Sequence, residues 1–368
     1  MTFIEKIRYL ANADFTVSSC DKEEKELYHA ARAFLLSDEA EAEKIAKQLF
    51  KIATNADIKN IATSLILNLY TWQGRFDELA EYGIPRSPEE AVAIALYNVK
   101  NTTAKLTSKT DCLELIHSKV GWAIAVVNIN GVDVELMIDT GAGITVINET
   151  TAKKCGISSN EAIESQDALG NKMSIPGAMI DKISIGESEF CNKMCMVIPD
   201  NAIDFGEVKI NGTIGWELIC QLKWEINFKE NKAYVTAPKK ENVLRNMAYD
   251  FFPLVRTTVN GQQVSLGLDT GATATKFGAI MKDSFGNIKQ TSIKSGGAGG
   301  YREEEAFIIP KIELSFDETE IYMENISVSV EHECSKSGIF ITPGILGIDI
   351  AKGRTLTIDY HNRHLAIK

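Results

Sequence analysis

Residues 127–147 read VNINGVDVELMIDTGAGITVI, and residues 257–277 read TTVNGQQVSLGLDTGATATKF. At an offset of 130, Asn130-Gly131 falls on Asn260-Gly261, and Val134, Leu136 and Ile138 fall on Val264, Leu266 and Leu268. Asp139-Thr140-Gly141-Ala142 falls on Asp269-Thr270-Gly271-Ala272. In the first copy Val132, Val134, Leu136 and Ile138 alternate with Asp133, Glu135, Met137 and Asp139, the period of two of a half-buried strand. Asn-Gly before such a run is a hairpin turn signal.

A second correspondence lies near the end of each copy, at an offset of 132. Gly212-Thr213-Ile214-Gly215-Trp216-Glu217 matches Gly344-Ile345-Leu346-Gly347-Ile348-Asp349. WEINFKENKAYV from Trp224 then matches LTIDYHNRHLAI from Leu356, each a hairpin with Asn at its turn. A bare Asp-Thr-Gly arises by chance at roughly 2 × 10⁻⁴ per position. Two copies in matched strand, turn and apolar-Gly contexts are an internal repeat.

Two Asp-Thr-Gly-Ala loops, each ending a strand and each followed by an apolar-apolar-Gly motif, resemble the retropepsin-like aspartic proteases. The chain looks like a single-chain bacterial relative carrying both units, and so is similar to pepsins in lobe count. The resemblance covers about residues 113–368. It implies two closed β-barrel lobes related by a pseudo-two-fold, with Asp139 and Asp269 as the catalytic pair. It also implies that Thr140 and Thr270 hydrogen-bond across the pseudo-dyad.

The chemistry explains the residue types. Hydrolysis without a metal or covalent nucleophile needs a base for water and an acid for the carbonyl oxygen and leaving amine. Two adjacent carboxyls that share one proton supply both. Gly141 and Gly271 permit a tight turn and close approach of backbone N–H groups. Ala142 and Ala272 stand where pepsins usually carry Ser or Thr. The missing hydroxyl donor predicts higher dyad pKa values and a mildly acidic to near-neutral optimum. Family members close a glycine-bearing hairpin over substrate. The candidates are Ala168, Leu169 and Gly170 in the first unit and Gly297, Ala298 and Gly299 in the second, with an ordinary loop as the other reading of each.

Residues 1–100 differ in character. Leu27, Ala31 and Leu35 form one apolar stripe at helical spacing, and Ile45, Leu49 and Ile52 another. Ser37-Asp38-Glu39 and Ser87-Pro88-Glu89-Glu90 are helix openings. Four or five helices in antiparallel pairs are expected, similar to tetratricopeptide-type pairs. Residues 101–111 read as a polar linker. The expected organisation is a multi-domain α plus all-β chain: a helical domain and linker over 1–110, one lobe over 111–240 and a second over 241–368.

Composition narrows the function. The 368 residues carry a net charge of -11, of which residues 111–368 hold -9. That balance argues against nucleic acid and favours neutral or basic peptides as substrate. No apolar run approaches a membrane span, and the N-terminus lacks a secretory apolar stretch. The seven cysteines include no CxxC pair, which fits reduced thiols, so a cytoplasmic location is expected. There is no GxSxG or HExxH motif, the five histidines are scattered, and no Lys-Ser/Thr follows the glycine run. No cofactor or metal is implied. The leading expectation is a peptide endopeptidase complete in one monomer, with the helical domain as a possible partner surface. The alternative is a catalytically inactive or latent, protease-like peptide-binding or adaptor protein with a helical interaction domain.

Overall fold

The computed structural model describes residues 1–73, 75, 78, 82, 103–166, 172–203, 210–286, 289–297, 300–317, 319–330, 334 and 338–368. Four helices come first: α1 (Phe3–Arg8), α2 (Lys22–Leu35), α3 (Glu39–Ile52) and α4 (Ala56–Gln73). Asp21 and Glu24 form a reciprocal capping box at the start of α2. Asp38 caps α3, while Ser37 turns the chain with φ 63. Leu27, Ala31 and Leu35 are buried as their spacing predicts, as are Ile45 and Leu49, but Ile52 is exposed. Helix α4 is buried along its second half, from Leu65 to Tyr70 and including Asn68. The helix expected from Ser87 lies outside the described residues.

The first β unit contains β1 (Thr103–Lys105), β2 (Asp111–Ile116), β3 (Ile124–Ile129), β4 (Val132–Ile138), β5 (Val146–Asn148), β6 (Ser159–Gln166), β7 (Lys172–Ile185), β8 (Ser188–Ile198), β9 (Gly212–Ile214), β10 (Lys223–Asn227) and β11 (Lys232–Thr236). The second contains β12 (Met247–Tyr249), β13 (Pro253–Val259), β14 (Gln262–Leu268), β15 (Lys276–Phe277), β16 (Lys289–Gly297), β17 (Gly300–Phe316), β18 (Thr319–Ser329), β19 (Gly344–Leu346), β20 (Thr355–Asp359) and β21 (His364–Ile367). The expected linker is partly strand: Thr103, Ala104 and Lys105 pair with Cys191, Phe190 and Glu189 of β8. Unpaired N–H and C=O groups at that edge supply the reason, since none of the three side chains is buried.

Each unit closes into a six-stranded barrel by the same circuit. In the first, β3 pairs β4, β4 runs parallel to β9, β9 pairs β5, β5 runs parallel to β8, and β7 links β8 back to β3. The second repeats this with β13, β14, β19, β15, β18 and β17. Closure pairs each barrel strand on both sides over part of its length, and β1 covers the stretch of β8 that β5 does not reach. The Asn-Gly turns fit: Asn130 and Gly131 have φ 51 and 87, Asn260 and Gly261 φ 48 and 82. Both turns are fastened to the barrel. Asn130 accepts from the Lys182 N–H, and Asn260 accepts from the Glu313 N–H. These are the two closed lobes that the resemblance implies.

The two units join through one sheet, because β10 of the first pairs antiparallel with β20 of the second. The terminal hairpins differ at the turn. Asn231 takes the left-handed conformation in the first copy, but Arg363, not Asn362, takes it in the second. Arg363 is held there from outside: its guanidinium lies 3.9 Å over the Tyr360 ring and pairs with Glu39 of α3.

That ion pair is one of several ties between the helices and the second unit. Ser37 donates its hydroxyl to the Met247 carbonyl, and Asn68 Nδ2 lies 2.8 Å from Asp250 Oδ1. The Ser265 and Ile341 N–H groups donate to the carbonyls of Ala11 and Arg8. Ala248, Leu254, Ile339 and Phe340 share one apolar cluster with the helices, and Phe340 stacks on Phe34. Among the described residues, no helix is long and apolar enough to cross a membrane.

Candidate active site

Asp139 and Asp269 follow the last residues of β4 and β14, where each strand lies parallel to the short strand of its apolar-Gly motif. The Asp139 N–H donates to the Ile214 carbonyl at 3.1 Å, and the Asp269 N–H to the Leu346 carbonyl at 2.9 Å. The repeat motifs, 75 and more residues apart in sequence, therefore meet behind each carboxyl.

The loops interlock across the pseudo-two-fold. Thr140 donates its hydroxyl to the Leu268 carbonyl at 2.8 Å and accepts the Thr270 N–H at 3.0 Å. Thr270 reciprocates with the Ile138 carbonyl at 2.7 Å and the Thr140 N–H at 3.0 Å. Both threonines are 1% exposed, so these four bonds are shielded from competing water.

Each carboxyl is held by its own loop. Asp139 Oδ1 accepts from the Gly141 and Ala142 N–H groups at 2.9 and 3.3 Å. Asp269 Oδ1 accepts from the Gly271 and Ala272 N–H groups at 2.9 and 3.0 Å. The six supporting positions expected from the sequence thus surround one pair of carboxyls. Burial raises both pKa values above the usual carboxylate range, and the charge of Asp269 raises Asp139 further. Gly141 lies against the Asp269 carboxyl and Gly271 against that of Asp139, so the two acids are neighbours whose titrations are coupled.

A second ring of carboxyls supports the loops. Asp349 accepts both the N–H and the hydroxyl of Thr275, at 2.8 and 2.7 Å. At the matching place Glu217 accepts the Thr145 N–H at 2.9 Å, while its Oε2 is buried without a hydrogen-bond partner. Burial pushes Glu217 up to about 7. The sequence repeat contained both residues, but only the fold shows what they hold. Trp122 gave no signal in sequence; its indole N–H reaches across the units to the Gly271 carbonyl at 2.8 Å.

The hairpin candidates are partly visible. Strands β16 and β17 pair from Lys289↔Ile308 to Gly297↔Gly300, which places Gly297 at the end of a nine-rung arm. Ala298 and Gly299 lie outside the described residues, as do Ala168, Leu169 and Gly170 between β6 and β7. Among the described residues, no group of three His, Cys, Asp or Glu side chains could hold a metal ion.

Residues 125–206 match the family described as gag-polyprotein putative aspartyl protease, a span that includes the Asp139 loop. A solved structure of a retropepsin-like aspartic protease from Rickettsia conorii is similar at 16% identity, over 37% of this chain and 95% of that one, with a TM-score of 0.26. No curated protein matches the chain. The family match supports, at the first loop, the resemblance drawn from both.

Proposed function

We propose that this chain, a relative of the retropepsin-like aspartyl proteases in its first β unit, is an endopeptidase that hydrolyses peptide bonds with a water activated between Asp139 and Asp269. The observation that carries this reading is the pair of neighbouring carboxyls, each against the other loop's glycine and each with two backbone N–H donors on one oxygen. The ionised carboxyl takes a proton from water as the water oxygen bonds to the carbonyl carbon. The neutral carboxyl gives its proton to the carbonyl oxygen, so a gem-diol forms without net charge. Return of a proton to the amine nitrogen then breaks the C–N bond. Thr140 and Thr270 keep the carboxyls in register, which is where preorganisation lowers the barrier.

Both carboxyls come from one chain, so a monomer suffices and specific activity should not rise with enzyme concentration. The raised dyad pKa values favour a mildly acidic to near-neutral optimum. The acidic charge of residues 111–368 favours neutral or basic peptides. The test is cleavage of an unbiased peptide pool between about pH 4 and 8, with Asp139→Asn beside the wild type. Cuts that vanish in the variant are expected. Absence of cleavage by the wild type, with peptide binding retained, would make the chain a binding module instead.

A further inference from the structure

The repeat makes the two catalytic loops alike, but two neighbours treat them differently. Trp122 Nε1 donates to the carbonyl of Gly271 at 2.8 Å. That carbonyl belongs to the same peptide group as the Ala272 N–H, which donates to Asp269 Oδ1 at 3.0 Å. A peptide whose oxygen accepts a bond is polarised and becomes a stronger donor at nitrogen. The chain Trp122–Gly271–Ala272–Asp269 therefore favours negative charge on Asp269.

Among the described residues, no indole stands at the equivalent place for the first unit's loop. Ile124 pairs with Met137 as Leu254 pairs with Gly267, so the position matching Trp122 is Phe252. Its ring has no N–H to donate and lies against Gly267 of its own unit. The matching N–H, from Ala142, is 3.3 Å from Asp139 Oδ1, 0.3 Å longer than its counterpart.

The second difference is a charge. Val146 and Lys276 hold the same place in the two barrels, paired with Thr213 and Ile345. The Lys276 ammonium, on the strand paired with β19 behind Asp269, lowers the Asp269 pKa, and Val146 brings no charge to the matching place beside Asp139. Among the described residues, the charged groups named as acting on the pair are each other and Lys276. Glu217 and Asp349 lie behind the loops, on Thr145 and Thr275.

We propose that Trp122, as a positioning residue, and Lys276 make Asp269 the ionised member of the pair and leave the shared proton on Asp139. This rests on the dyad reading above and assigns its roles. Asp269 is the base that takes the water proton, and Asp139 is the acid that protonates the carbonyl oxygen. The substrate is then bound in one direction, its carbonyl oxygen toward Asp139.

The experiment is a titration of the full-length protein labelled with carboxyl-13C aspartate, followed by NMR, with Asp139→Asn and Asp269→Asn to assign the two carbons. The lower step is expected on the Asp269 carbon. Trp122→Phe and Lys276→Val should each raise that step by about half a unit and move the acidic limb of kcat/KM with it. A lower step on the Asp139 carbon, or a lower step unmoved in a folded variant, overturns the proposal. Lys276→Val installs the residue the first unit already uses, so it keeps the test open if Trp122→Phe does not fold. A split titration without peptide cleavage would overturn the protease reading and leave this assignment standing. Cleavage with two indistinguishable carbons would do the reverse.

Discussion

Gly141 lies against the carboxylate of Asp269, so closely that a β-carbon on it would stand 2.6 Å from Oδ1; Gly271 bears the same relation to Asp139. Each loop's glycine therefore makes room for the other loop's acid. This cross-relation explains why the third residue of the motif is Gly beyond any need of the turn. Neither residue has a left-handed φ.

Gly141→Ala should displace Asp269 from its partner while leaving the barrels intact. A misplacement of about 1 Å at reacting groups costs about 100-fold in rate, so kcat/KM should fall by that much or more, with an unchanged far-UV spectrum. Wild-type turnover in the alanine variant would show that the close approach is irrelevant to the chemistry.

Thr140→Val removes a donor to Leu268 and an acceptor for Thr270, leaving two buried backbone groups unpaired. At about 1–3 kcal/mol for each such group, thermal unfolding should begin several degrees lower, while Thr140→Ser restores it. Equal Tm values for Val and Ser would mean that the hydroxyl bonds contribute nothing.

Asp250 tests whether the helices form a separable module. It is 3% exposed and accepts from the Ile339 and Phe340 N–H groups at 3.0 and 2.7 Å as well as from Asn68. Asp250→Ala would strand all three donors at the seam and cost about 3 kcal/mol or more. In a double-mutant cycle with Asn68→Ala, measured by urea unfolding, a coupling of at least about 0.5 kcal/mol is expected. Zero coupling would detach the helical layer from the stability of the second unit. The same seam ties the helices to the candidate site: they hold the segment leading into β19, whose Leu346 carbonyl accepts the Asp269 N–H.

Much of this was legible because it is written locally. The Asp-Thr-Gly loops, the alternation from Val132 and the Asn-Gly turns are short patterns whose geometry follows from a few adjacent residues. The apolar-Gly motif was legible only through the repeat. What escaped was either patternless or distant. Strand β1 is three exposed residues and carries no alternation. Trp122 meets Gly271 across 149 positions, and Asn68 meets Asp250 across 182. Such contacts depend on where closed barrels and packed helices bring side chains, and nothing in the flanking sequence marks them.

Glu217 supplies the last prediction, on stability against pH. Its carboxyl has one oxygen on the Thr145 N–H and the other buried without a partner, whereas Asp349, in the matching place, has Thr275 on both. Burial outweighs the hydrogen bonds and the Lys193 charge, so the folded-state pKa rises from 4.5 to about 7. The folded chain thus binds this proton more tightly than the unfolded chain does. The resulting stabilisation is complete below about pH 4.5, declines through the window up to about 7, and is gone above it. Glu217→Gln keeps an oxygen for Thr145 and carries no charge. It should therefore match the wild type near pH 4.5 and exceed it at pH 8 by on the order of 3 kcal/mol. Chemical unfolding at the two pH values measures the difference directly. A stability gap that does not change between them would show that Glu217 ionises as freely in the folded protein as in the unfolded chain.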